Sequence, residues 1–131
     1  MKRQQISSGT PWEAMAGYSR AVRVGDRVFV SGTTASDADG ALQHPGDPAG
    51  QTRYILQKIA RALAEAGASL EDVVRTRVFV SDIAHWEPVA RAHGEVFGAI
   101  RPANTLVRAE LITPGMLVEI EADAIIGSAA S

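Results

Sequence analysis

Cysteine is absent from the 131 residues. That excludes a disulfide framework, a cysteine nucleophile and any cysteine-based zinc or iron–sulfur site. Aromatic residues are scarce, with three Phe, two Trp and two Tyr. Charge of one sign is lacking too, since 13 basic residues stand against 15 acidic ones for a formal net charge of -2. The basic residues are scattered along the chain. A nucleic-acid binder needs clustered cations and stacking platforms, and neither pattern is present. The expected partner is a small neutral or anionic metabolite, not nucleic acid. Long apolar runs are also missing, so no segment is expected to span a membrane. MKRQQISSGT starts basic but has no apolar stretch behind it, which argues against a signal peptide. These absences point to a cytoplasmic protein.

What is present suits a folded unit. Hydrophobic residues make up 46% of the chain, enough for a core, and the length fits one domain over residues 1–131. AVRVGDRVFVSGT reads as a hairpin turning at Gly25-Asp26. GTTASDADGALQHPGDPAG is a loop rich in Gly, Pro and Asp. Asp47-Pro48 starts a helix, with a capping carboxylate followed by Pro at the first helical position. Ile55, Ile59, Ala62, Leu63 and Ala66 give that helix its apolar face, and Gly67 stops it.

VVRTRVFVSD then reads as a strand. Strict alternation puts Val74, Thr76, Val78 and Val80 on one face and Val73, Arg75, Arg77 and Phe79 on the other. A second helix over about residues 84–98 has Trp86, Val89, Ala92, Val96 and Phe97 as its stripe. Pro88 fits there only in the first turn. Two closing strands are expected at about Ala103 to Leu111 and Leu117 to Ile125, with ITPGM turning between them. A short strand around Gln4 to Ser7 would come first. The order is β-β-α-β-α-β-β. It implies an α+β fold, a mixed sheet with two helices packed on one face.

LVEIEADAII places Glu119, Glu121 and Asp123 on one side of the last strand. With Arg75 and Arg77 they make the open sheet face half charged and half apolar. Such a face suits a subunit interface with small-molecule pockets, so a symmetric homo-oligomer is expected. The three acids make a poor metal site. Same-face neighbours lie about 7 Å apart along a strand, and no His stands at ligand spacing beside them. Glu121 and Asp123 are expected to pair with Arg75 or Arg77 across strands, or to face solvent.

Three segments carry a resemblance: GYSRAVRVGDRVFVSGT, QTRYILQKIARALAEAGASLEDVVRTRVFVSDI and RPANTLVRAELITPGMLVEIEADAI. They run from about Gly17 to Ile125 and resemble the RidA/YjgF family of reactive-intermediate deaminases, also described as endoribonuclease L-PSP-like. The resemblance implies a chorismate-mutase-like fold, sheets forming the core of a homotrimer, and pockets between subunits. It implies hydrolysis of imines and enamines to 2-keto acids and ammonia, with no metal and no cofactor. Some members carry an endoribonuclease activity, against which the scattered basic residues count.

Residue by residue, Tyr18 matches the tyrosine that orients substrate, and Glu119 matches the glutamate that helps protonate substrate or water. Ser31 and Gly32 match a segment that supplies backbone hydrogen bonds. The family's carboxylate-gripping arginine is replaced by Asn104, which is shorter and uncharged. Leu106 stands where some members have Cys. In the second helix Ala90 and His93 stand where Asn and Tyr are frequent. Glu119 and Tyr18 are thus the candidate catalytic residues, and Ser31, Gly32, Asn104, Leu106 and His93 the candidate substrate contacts. Arg101 or Arg108 could replace the missing arginine. Each residue also has a plainer role. Glu119 could tie an interface together, Tyr18 could sit at a subunit rim, Asn104 could bond nearby backbone, and His93 could be a packed core histidine. The expectation is an imine or enamine hydrolase with an atypical, neutral or differently shaped substrate. The alternative is a non-catalytic metabolite-binding trimer.

Overall fold

The structure is a computed structural model and describes residues 2–129. Among these residues the first half runs β1 (Arg3–Ile6), α1 (Pro11–Ala16), β2 (Ala21–Val24), β3 (Arg27–Thr34) and α2 (Pro48–Glu65). The second half runs β4 (Val73–Val80), α3 (Trp86–Phe97), β5 (Ala103–Arg108) and β6 (Val118–Ile125). The strands form one six-stranded sheet in the order β1-β2-β3-β6-β4-β5. β4 and β5 are parallel, as a crossover through α3 allows. The other neighbours are antiparallel. This is the expected α+β mixed sheet, with a third helix added.

Local chemistry accounts for the elements. Gly25 turns the β2–β3 hairpin with φ 61, a region open to glycine without steric cost. Asp47 caps α2, its Oδ1 accepting from the Gly50 amide at 2.9 Å, and Pro48 opens the first turn. At the other end the Arg23 guanidinium donates to Ala66 O at 2.7 Å, where a cation meets unpaired helix carbonyls. The α2 face of Ile55, Ile59 and Leu63 is fully buried. It packs on Val28, Val30, Val78, Val118 and Ile120 of the sheet to form the core. Gln51 is buried with both ends of its amide bonded. Nε2 donates to Gly115 O at 3.0 Å and Oε1 accepts from the Leu117 amide at 2.9 Å. That pair fixes the turn before β6 against α2.

Four expectations need correction. The helix α1 was not foreseen, although Thr10-Pro11-Trp12-Glu13 has the form of a capping box with Pro at the first position. The Glu13 carboxylate accepts from Thr10 Oγ1 at 2.8 Å and Ser8 Oγ at 2.6 Å. Secondly, Val73 is buried and Val74 exposed, the reverse of strict alternation. The register between β4 and β6 shifts between Val73 and Arg75, and such a bulge swaps the faces. Thirdly, β5 ends at Arg108 rather than Leu111. β4, its partner, ends at Val80, and Ala109 N to Val80 O is the last bond to that strand. Finally, Trp86 is half exposed instead of lining the α3 stripe. It is the first residue of α3, directly after a 3-10 turn at Ile83–His85.

Candidate functional site

The site is built on an irregularity in β3. Val30 pairs with Ala122 of β6, but the next pair is Thr33 with Ile120. Ser31 and Gly32 therefore oppose the single residue Glu121, which is a β-bulge. The bulge flips the faces of β3. Val28 and Val30 are buried before it, and Thr33 and Ala35 after it. Ser31 secures the bulge to the segment entering β2. Its hydroxyl donates to Ser19 O at 2.7 Å, and its amide to Arg20 O at 3.0 Å. Gly32 then leaves a space that only a missing side chain provides. A Cβ built there would overlap the Glu119 carboxylate.

Glu119 and Gly32 line a cleft of about 280 Å³ with Tyr18, Arg20 and Lys58. Apolar side chains of Met15 and Ile112 form part of its wall, and both are largely exposed. Burial pushes the Glu119 carboxyl above its ordinary pKa. The Arg20 charge pulls it partly back down, and Glu121 adds to the rise. A carboxyl held nearer neutrality suits proton exchange with a bound molecule. Tyr18 is 39% exposed at the cleft, and its ring lies 5.8 Å from the Arg20 guanidinium carbon.

Arg20 and Lys58 were not singled out in the sequence. Arg20 is 5% exposed, with Nη2 donating to Gly32 O at 2.7 Å. Lys58 Nζ donates to Thr34 O at 2.7 Å and to Ser36 O at 2.8 Å. The signal for Lys58 was its spacing, three residues after buried Ile55 and four before buried Ala62. That puts a cation on the inner face of α2. Arg20 had a weaker signal, a charge immediately before the core residue Ala21.

The remaining expected contacts lie elsewhere in this chain. Asn104 pairs with Thr76, and Leu106 with Val78. Thr76 pairs in turn with Ala122, whereas Glu119 pairs with Phe79. By strand parity, Asn104 and Leu106 are on the helix-covered face and Glu119 is on the open one. Asn104 Nδ2 donates to Thr76 Oγ1 at 2.9 Å. A further 2.8 Å hydrogen bond joins that hydroxyl to His93 Nε2. His93 also packs against the Phe97 ring at 4.6 Å, and burial lowers its pKa. Within one chain, then, Asn104, Leu106 and His93 are not brought to Tyr18, Gly32 and Glu119. Arg101 Nε donates to Gly98 O at 3.2 Å, and Arg108 lines a separate hollow with Glu110 and Leu111. Neither lines the Glu119 cleft.

The other two acids of the last strand share one arginine. Arg77 Nη1 lies 3.2 Å from both Glu121 Oε1 and Asp123 Oδ2. Among the described residues, no group of three or more His, Cys, Asp or Glu is placed to hold a metal ion. No helix among them is long and apolar enough to cross a membrane.

The sequence profile of the endoribonuclease L-PSP family matches residues 9–126. The chain belongs to the RidA/YjgF family. A Streptomyces coelicolor relative of uncharacterized function is 40% identical over 95% of this chain and 93% of its own length. The 3-aminoacrylate deaminase RutC of Acinetobacter baylyi is 36% identical over 88% of this chain and 90% of its own. A crystal structure of a YjgF/YER057c/UK114 family member from Mycobacterium tuberculosis superposes with a TM-score of 0.85. It is 49% identical, covering 95% of this chain and all of that one. This RidA/YjgF chain thus has the family fold, with Asn104 where the resemblance had implied arginine.

Proposed function

We propose that the protein is a cofactor-free imine or enamine deaminase, working as a homotrimer with its clefts at subunit boundaries. The observation that carries this reading is the half-buried Glu119 carboxyl, held over Gly32 beside Tyr18, in a chain related to a 3-aminoacrylate deaminase. An enamine first takes a proton on carbon to become its imine. Water then adds to the imine carbon, and its second proton passes to nitrogen. Collapse of the carbinolamine breaks the C–N bond, releases ammonia and leaves a carbonyl. Glu119 serves as the proton shuttle, giving a proton to nitrogen and taking one from water. Tyr18 orients the substrate with its hydroxyl. Ser31 holds the bulge that aims Glu119.

The test is pyruvate release from 2-iminopropionate generated in place by an amino-acid oxidase. Release above the buffer rate, reduced about 100-fold or more in Glu119→Gln, is the expected result. An equal rate in that variant sinks the role of Glu119. A second reading, a metabolite-binding trimer without turnover, is favoured by Asn104, whose amide is committed to Thr76. It prevails if no release exceeds the buffer rate while small carbonyl acids still bind.

A further inference from the structure

The chain has eleven arginines but only two lysines, Lys2 and Lys58. Lys2 is exposed, whereas Lys58 is half-buried under the end of β3. β2 begins opposite Val30, so no β2 residue stands opposite Thr34. Lys58 Nζ fills that free edge, donating to Thr34 O at 2.7 Å and Ser36 O at 2.8 Å. Thr34 and Ser36 themselves line the Glu119 cleft with Lys58, so the amine sits in the cleft wall. No carboxylate among the described residues forms an ion pair with it. Asp37 and Glu13 act on its charge from a distance and are bonded elsewhere. Burial first, then the charges of Arg20 and Arg61, lower its pKa to about 8. About a tenth of such an amine is neutral at pH 7, where an ordinary lysine has less than about a thousandth.

We propose that Lys58 is a covalent capture site for small aldehydes, its amine condensing with the carbonyl carbon inside the Glu119 cleft. The inference goes beyond the deaminase reading and does not rest on it. A neutral amine has two N–H bonds and one lone pair. Here two backbone carbonyls hold both N–H bonds, which leaves the lone pair as the group free to react. An arginine would cap the same carbonyls but stay protonated, whereas a desolvated lysine beside another cation is an activated nucleophile. The lone pair adds to the aldehyde carbon, and one amine proton moves to the oxygen. Glu119, whose carboxyl burial holds nearer neutrality, gives that oxygen a second proton. Water leaves, and an iminium remains on Lys58 opposite a Glu119 carboxylate. The iminium keeps one N–H for the strand edge. The cleft wall of Trp12, Met15, Ile112 and Met116 suits an aldehyde with a short alkyl chain.

The experiment treats the full chain at pH 7 with butanal and sodium cyanoborohydride, which reduces an iminium to a stable secondary amine. Peptide mass spectrometry then follows the adduct at each lysine over time. Lys58 should be labelled about tenfold or more faster than the exposed Lys2, the direction expected of an amine with a larger neutral fraction. In concentrated urea, where the cleft is gone, the two lysines should be labelled at similar rates. Lys58→Arg retains the N–H donors, and it should abolish the fast adduct while Lys2 is labelled as before. Labelling of Lys58 no faster than that of Lys2 overturns the proposal, and this comparison needs no variant to fold. A preference for Lys58 that survives unfolding overturns it as well, because the cleft would then have no part in it.

Discussion

Burial moves Glu119 up and Lys58 down, so desolvation shifts both groups toward their neutral forms. For Lys58 the pKa falls from 10.5 to about 8, through burial first and then the charges of Arg20 and Arg61. Asp37 and Glu13 oppose the fall. The amine is thus still mainly charged near neutral pH. Below about pH 8 the folded and unfolded chains are both protonated at Lys58, and folding bears the full desolvation penalty. Between about pH 8 and 10.5 the folded chain has released a proton that the unfolded chain keeps, so stability rises with pH in that window. Relative to Lys58→Gln, the wild type should gain about 1–3 kcal/mol across it, the upper figure being reduced by solvent screening. Urea melts at several pH values measure the difference. A flat difference between the two proteins would show that Lys58 titrates normally.

Among the elements, the β3 bulge has the largest functional consequence. It inserts Ser31-Gly32 against one residue of β6 and opens the space that the Glu119 carboxylate fills. Gly32→Ala separates stability from function. Its new methyl would meet the flexible end of the Glu119 side chain, which can swing away. Unfolding free energy should change by less than about 1 kcal/mol. Deaminase activity should fall about tenfold or more, as a displaced group loses reach. Chemical denaturation and the pyruvate-release assay report the two quantities. Unchanged activity would mean that the Glu119 position is not critical. The bulge also explains why alternation failed as a guide in β3, as a second bulge does at Val73 and Val74. A pairing offset belongs to two strands at once, and neither strand's own pattern contains it.

At the scale of the whole molecule, α2 and α3 cover one face of the sheet and leave the other largely open. Phe29 and Val107 are 46% and 43% exposed on it. Arg77, Glu121 and Asp123 form a half-exposed ion cluster there. Exposed apolar side chains around a polar network suit burial against further copies of the chain, and the apolar cleft wall of Met15 and Ile112 suits the same assembly. Phe29→Asp places a charge beside Asp123, its partner across the sheet. Light scattering should then show a trimer for the wild type and smaller species for the variant. A wild-type monomer, or a variant still fully trimeric, would contradict this use of the open face.

The sequence by itself determined the family, the α+β order and most element starts, because these depend on local chemistry and periodicity. Asp47-Pro48, Gly25 and the α2 stripe each act within a few residues. It also placed the carboxylates of β6 on one face and offered Arg75 or Arg77 as partners for two of them, of which the fold uses Arg77. Tyr18, Gly32 and Glu119 came from motif likeness, and their meeting in one cleft required strands far apart in the chain. Tertiary structure alone decided that Asn104 and His93 turn to Thr76, away from Glu119. It alone brought Arg20 and Lys58 together, one from the start of β2 and one from the inner face of α2. The physical reason is that a side chain's surroundings depend on strand register and sheet face, which long-range pairing sets and local sequence does not.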